Sequence, residues 1–284
     1  MNYVDVFFRS EDNLRLYARD YRGPEADSPV ILCLPGLTRN SKDFAELADE
    51  LRKNYRVICP DQRGRGRSER DPDATRYHPQ QYVADMRTLL DVLGISRAIV
   101  IGTSLGGLMA IVMMATDTKR ICAAVLNDVG PEVDPHGIER IASYVGKTAP
   151  VADWQTAAKQ AAHINGVAFP DYEADDWLAM AQRLYVQEGT TPVLDYDPAI
   201  ALGVNSGTAA PNLWPLFDAV GATPILVIRG ETSDILSAET LAEMARRLPH
   251  IMVQVVPNRG HAPTLDEPTA RVAIIKFLAG LGQI

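Results

Sequence analysis

Residues 98–116 read AIVIGTSLGGLMAIVMMAT, and the punctuation of this stretch decides the fold. It carries no formal charge and is nearly long enough to cross a membrane. Three glycines around Ser104 (Gly102, Gly106 and Gly107) break it instead into a buried strand that turns sharply into a buried helix. A serine at such a turn stands on strained backbone, and the flanking glycines relieve the crowding. The turn lifts its hydroxyl above the sheet and aims a helix N-terminus at any negative charge developing beside it. Ser104 is the candidate nucleophile.

Working outward, the same rhythm of apolar runs and helical stretches recurs. VILCL (30–34) and RVICP (56–60) read as central parallel strands, with a helix between them that places Phe44, Leu47, Ala48 and Leu51 on one face. Residues 3–8 and 14–21 alternate enough to be antiparallel strands at an edge. Pro79 and Gly94 bracket a further helix, and CAAVLND (122–128) is another strand. After residue 221 the pattern resumes with PILVIRG, a helix at 237–247, IMVQVVP and a last helix near 267–279. Residues 131–220 differ: they hold all three tryptophans, helical stretches near 136–146, 151–163 and 174–187, and then a Pro/Gly-rich passage. The expected architecture is α/β, a mostly parallel sheet flanked by helices, interrupted by a helical insertion.

Charge follows the same division. The chain has 36 acidic and 28 basic residues, a formal charge of −8, which argues against binding a phosphate backbone. Residues 1–130 and 221–284 are balanced, while 131–220 hold 12 acidic residues against 4 basic. If carboxylates such as Glu173, Asp175 and Asp176 face an entrance, they disfavour anionic substrates. The expected partner is thus a small-molecule substrate, neutral and partly apolar, with no nucleic acid or membrane. Cys33, Cys59 and Cys122 sit in apolar runs and read as reduced core thiols. No signal peptide is visible in MNYVDVFFRSEDN, so a cytoplasmic location is expected.

A serine hydroxyl is a poor nucleophile at neutral pH and needs a base within hydrogen-bond reach. Of five histidines, His261 is the candidate, because it follows IMVQVVP at the carboxyl end where open sheets place their sites. The base in turn needs a carboxylate to hold its tautomer. Asp234, in GETSDIL after the preceding strand, is the expected acid; Asp128, closing CAAVLND, is its rival at another strand's carboxyl end. The order Ser104, Asp234, His261 is that of an α/β-hydrolase triad.

On these residues the chain resembles serine-nucleophile enzymes of the α/β-hydrolase superfamily that carry a helical cap. The resemblance extends to Leu34-Pro35-Gly36-Leu37, where the family usually has His-Gly, and to Asp61-Gln62-Arg63-Gly64-Arg65-Gly66-Arg67-Ser68, which matches D-x-R-G-x-G-x-S. It implies an eight-stranded sheet, a core of residues 1–130 and 221–284, and a cap at 131–220. It also implies that the backbone amides of Leu37 and Leu105 form an oxyanion hole. The arginine-rich loop lacks the Lys-Ser/Thr of a P-loop and reads as structural, with Asp61 and Arg63 pairing internally. Trp154, Trp177 and Trp214 are candidates for an apolar pocket. No metal or cofactor motif appears, so none is expected. The implied activity is hydrolysis of a small carboxylic ester, lactone or thioester. Carbon–carbon bond hydrolysis, cofactor-free lyase or perhydrolase chemistry and a non-catalytic receptor on the same fold are the alternatives.

Overall fold

The computed structural model describes residues 2–205 and 212–282. Its strands and helices run in the order β1 (Val4–Arg9), β2 (Arg15–Tyr21), β3 (Val30–Leu34), α1 (Ala45–Leu51), β4 (Arg56–Asp61), α2 (Pro79–Val92), β5 (Ala98–Thr103), α3 (Leu105–Thr116) and β6 (Ile121–Asn127). The interrupting segment contributes α4 (Pro135–Tyr144), α5 (Trp154–Asn165), α6 (Ala174–Leu184), β7 (Tyr185–Glu188), β8 (Thr191–Leu194), α7 (Ala201–Asn205) and α8 (Trp214–Ala219). The chain closes with β9 (Ile225–Gly230), α9 (Ala238–Arg247), β10 (Met252–Val256) and α10 (Pro268–Gly280). Residues 206–211 of the Pro/Gly-rich passage lie outside the described residues.

Eight strands form one sheet in the order β1-β2-β4-β3-β5-β6-β9-β10. β2 runs antiparallel to β1 and β4, and every other pairing is parallel, as the runs imply. The parallel strands read as continuous apolar runs because helices cover both faces: α2, α3 and α8 on one side, α1 and α10 on the other. β5 sits near the middle, so the turn after it opens at the centre of the sheet's carboxyl edge, where sites of open sheets form.

The interrupting segment is less uniform than its sequence implies. Residues between Val151 and Tyr185 close on an apolar cluster of their own, around Ala157, Phe169, Met180 and Leu184. Its two ends join the main core instead, through Ile141 and Val145 on one side and Phe217 and Val220 on the other. It also contains a hairpin, β7 paired with β8, that replaces the end of the helix expected over 174–187. Tyr185 and Val186 favour extended backbone and Gly189 turns it at φ 56°. Cys33 and Cys59 are buried thiols as expected, whereas Cys122 is half-buried; all three are free. Among the described residues no helix is long and apolar enough to cross a membrane.

Candidate active site

Ser104 follows β5 with φ 52° and ψ −117° and precedes the first residue of α3. Both expected glycines are required by space. A Cβ on Gly102 would overlap the Gly106 carbonyl, and one on Gly106 would overlap the carbonyl of Leu34. The backbone on each side is anchored: Ser104 N–H donates to Asn127 O (3.0 Å), and Ser104 O accepts from Gly107 N–H (2.8 Å).

The loop after β10 brings His261 over this turn. His261 Nε2 lies 2.8 Å from Ser104 Oγ, and Nδ1 lies 2.8 Å from Asp128 Oδ2. The loop is tied at both ends, Asn127 Nδ2 donating to Pro263 O (2.8 Å) and Gly260 N–H to Ala168 O (2.9 Å). Its second bond comes from the interrupting segment.

The structure sets Asp128, not the expected Asp234, against the histidine. Asp128 takes φ 58°, a left-handed conformation that Asp tolerates better than most residues, and this turns its carboxylate toward His261. The side chain is fully buried yet well satisfied, accepting from Gly230 N–H (2.7 Å) and Ser233 Oγ–H (2.7 Å) as well as facing His261. Asp234 is taken by Arg140 of α4, whose Nε and Nη2 reach its two oxygens at 2.5 and 2.9 Å. Helix α4 comes close because Gly137 has no side chain; a Cβ there would overlap the Asp234 carbonyl. Burial opposes ionisation of Asp234, but Arg140 prevails and holds its carboxyl below the usual carboxylate range.

Leu37 and Leu105 both border the cavity or the turn beside Ser104, and neither amide donates to another group among the described residues. The arginine-rich loop fixes the peptides on either side of the one that carries the Leu37 N–H. Arg65 Nε donates to Leu37 O (2.8 Å) and Gln62 Nε2 to Pro35 O (3.2 Å), both from buried side chains. Asp61 and Arg63 do not pair as expected. Asp61 accepts from the amides of Ser41 (2.7 Å) and Arg67 (2.8 Å), while Arg63 is fully buried against Asp85, Asp12 and Asp71. The matched motif thus works as a brace under the Leu37 peptide. The part played by Gln62 and Arg65 lay within a stretch the sequence marks as structural, and no spacing signal distinguished them there.

A cavity of about 120 Å³ opens beside Ser104 and His261. That is of the order of the ~150 Å³ known to hold one benzene. None of the three tryptophans lines it. Trp154 Nε1 donates to Gln187 (2.9 Å), Trp177 packs edge-on against Phe169 and Tyr172, and Trp214 donates to Glu132 (3.0 Å) beneath Arg247. Each is committed to packing elsewhere; Phe44, Tyr144, Phe169, Tyr185 and Tyr196 supply the aromatic wall instead. Glu173, Asp175 and Asp176 are exposed at the N-terminus of α6 and do not line the cavity. Among the described residues there is no group of three or more His, Cys, Asp or Glu arranged to hold a metal.

The comparisons agree with this architecture. The family model described as alpha/beta hydrolase fold matches residues 29–268. The chain belongs to that family, and it is a hydrolase. It is 38% identical over 273 residues to the 3-hydroxybutyrate-oligomer hydrolase of Cupriavidus necator, covering 91% of each protein. It is 28% identical to the 2-(acetamidomethylene)succinate hydrolase of Mesorhizobium japonicum, covering 84% of this chain and 83% of that one. A crystal structure of an α/β hydrolase from Novosphingobium aromaticivorans superposes with a TM-score of 0.93 at 46% identity, covering 98% of both chains.

Proposed function

We propose that this hydrolase cleaves a small carboxylic ester through an acyl-enzyme, with Ser104 as nucleophile, His261 as general base and Asp128 as the carboxylate that orients it. One observation carries the reading: two consecutive 2.8 Å contacts link Ser104 Oγ, the two ring nitrogens of His261 and the buried Asp128 carboxylate. His261 Nε2 takes the Ser104 proton as Oγ attacks the carbonyl carbon. The resulting oxyanion accepts from the Leu37 and Leu105 amides, whose stabilisation is felt chiefly in the transition state. His261 then returns the proton to the leaving oxygen, and a water activated by the same nitrogen releases the acid. The lid reading of 131–220 over a core of 1–130 and 221–284 belongs to the same proposal, supported by the separate apolar cluster within that segment.

An ester is favoured over the alternative bonds by the similarity to a 3-hydroxybutyrate-oligomer hydrolase along 91% of both chains. A short hydroxyalkanoate oligo-ester is accordingly the substrate to test first. The expectation of a neutral substrate rested on lid carboxylates at the entrance, and the three named for that role line no part of the cavity. The test is turnover of p-nitrophenyl butyrate and of 3-hydroxybutyrate dimer by native and Ser104→Ala protein, with a fluorophosphonate probe. Ser104-dependent turnover and label on Ser104 are expected; turnover undiminished in Ser104→Ala would remove the mechanism.

A further inference from the structure

The surplus negative charge of the interrupting segment does not reach the cavity. None of its 12 acidic residues lines the wall, whereas one of its four basic residues, Arg183, does. From the core come Arg39 and Asp43, so the lining of an acidic protein holds two guanidinium groups and one carboxylate, with Arg183 itself paired to Asp266 (3.0 Å) behind the wall.

The stem of Arg39 runs beside Ser104. Its Cγ and the Cβ of Ser104 flank the same point, lying 3.5 and 3.7 Å from where a side chain on Gly36 would begin. One edge of its guanidinium is occupied, Nε and Nη2 donating to Asp43 at 2.6 and 2.9 Å. That pairing orients the group and offsets the cost of burying it. Nη1 makes no hydrogen bond among the described residues. A planar guanidinium with one edge fixed and the other free is suited to donate to a carboxylate. Tyr144, on the same wall, feels both Arg39 and Arg140; burial outweighs them and keeps its phenol protonated.

We propose that the free edge of Arg39 recognises a carboxylate carried by the substrate close to its scissile ester, so that Arg39 selects anionic hydroxyacid esters over their neutral counterparts. The inference rests on the ester-hydrolase reading for its substrate, and on the cavity wall alone for its charge.

The substrate pair is the linear dimer of 3-hydroxybutyrate, with its free terminal carboxylate, and the methyl ester of that dimer. Native enzyme is expected to turn over the free acid with at least tenfold higher kcat/KM. In Arg39→Gln the free acid loses at least ten times more kcat/KM than the methyl ester, with the loss mainly in KM. Arg39→Lys, which keeps the charge without the fork, recovers part of it. Native preference for the methyl ester, or equal losses on both substrates in Arg39→Gln, overturns the proposal. A binding arm separates this from failure of the ester reading. In Ser104→Ala protein, 3-hydroxybutyrate is titrated calorimetrically against its methyl ester, with and without Arg39→Gln. Tighter binding of the acid that vanishes with Arg39 supports the assignment whatever bond is cleaved, and binding indifferent to Arg39 ends it.

Discussion

The carboxyl ends of β6 and β9 each present an aspartate to the same region, and the two have opposite fates. Asp128, directly after β6, is wholly buried, meets one donor from the end of β9 and one from the loop after it, and faces His261. Asp234, in the β9 loop itself, keeps about a third of its side chain exposed and is claimed by an arginine from the inserted segment. Local sequence does not separate them: each is a short acidic side chain just past an apolar strand. What separates them is the third dimension, a left-handed residue that swings one carboxylate inward and a helix that intercepts the other. By occupying Asp234, the segment between β6 and β9 leaves the histidine to Asp128.

This contrast can be broken in order of expected effect. Ser104→Ala tests the group both aspartates could serve, and should lower kcat on p-nitrophenyl butyrate by about 10⁶, as for loss of a nucleophile from a triad. Asp128→Asn should lower it by about 10⁴, because the amide no longer stabilises the imidazolium or holds its tautomer. If Asp234→Asn produced that loss and Asp128→Asn did not, the two roles would be exchanged. Arg65→Gln releases the Leu37 carbonyl, and a loss of about 10² in kcat with KM little changed is expected, at the low end of the ~10²–10³ typical of deleting an oxyanion donor outright.

The smallest effect belongs to Asp234→Asn itself. Its activity should stay within about tenfold of native, and its stability should fall by about 1 kcal/mol or less, since the pair with Arg140 is partly exposed. The pH dependence has a definite sign. A carboxyl lowered in the folded state stabilises the protein above its unfolded value and ceases to do so as pH falls through the folded one. The difference in Tm between native and Asp234→Asn protein should be present at pH 7 and shrink as pH falls below the ordinary carboxylate range. A difference that grows on acidification would contradict the Arg140 pairing.

Much of the fold was legible because its signals are local. Continuous apolar runs mark strands covered on both faces, and Gly102, Gly106 and Pro79 mark positions where only certain backbones fit. The turn bearing Ser104 and the placement of His261 followed from the same cues, and the structure sets the two within hydrogen-bond distance. The pocket was not legible. Trp154, Trp177 and Trp214 are large amphipathic side chains that suit a pocket or a packing interface equally, and each found a packing partner. The hairpin of β7 and β8 was hidden because four-residue strands are too short to show a period.

The sequence by itself determined the strand–turn–helix around Ser104, the alternation that builds a parallel sheet, and the concentration of surplus negative charge in residues 131–220. Each depends on neighbours a few residues apart or on simple counting. Only the tertiary structure decided which aspartate meets His261, that Arg65 braces the Leu37 peptide, and that the acidic segment turns Arg183 rather than a carboxylate toward the cavity. Those outcomes depend on contacts between residues 28 to 133 positions apart and on which face of a helix meets the core, and chain order encodes neither directly.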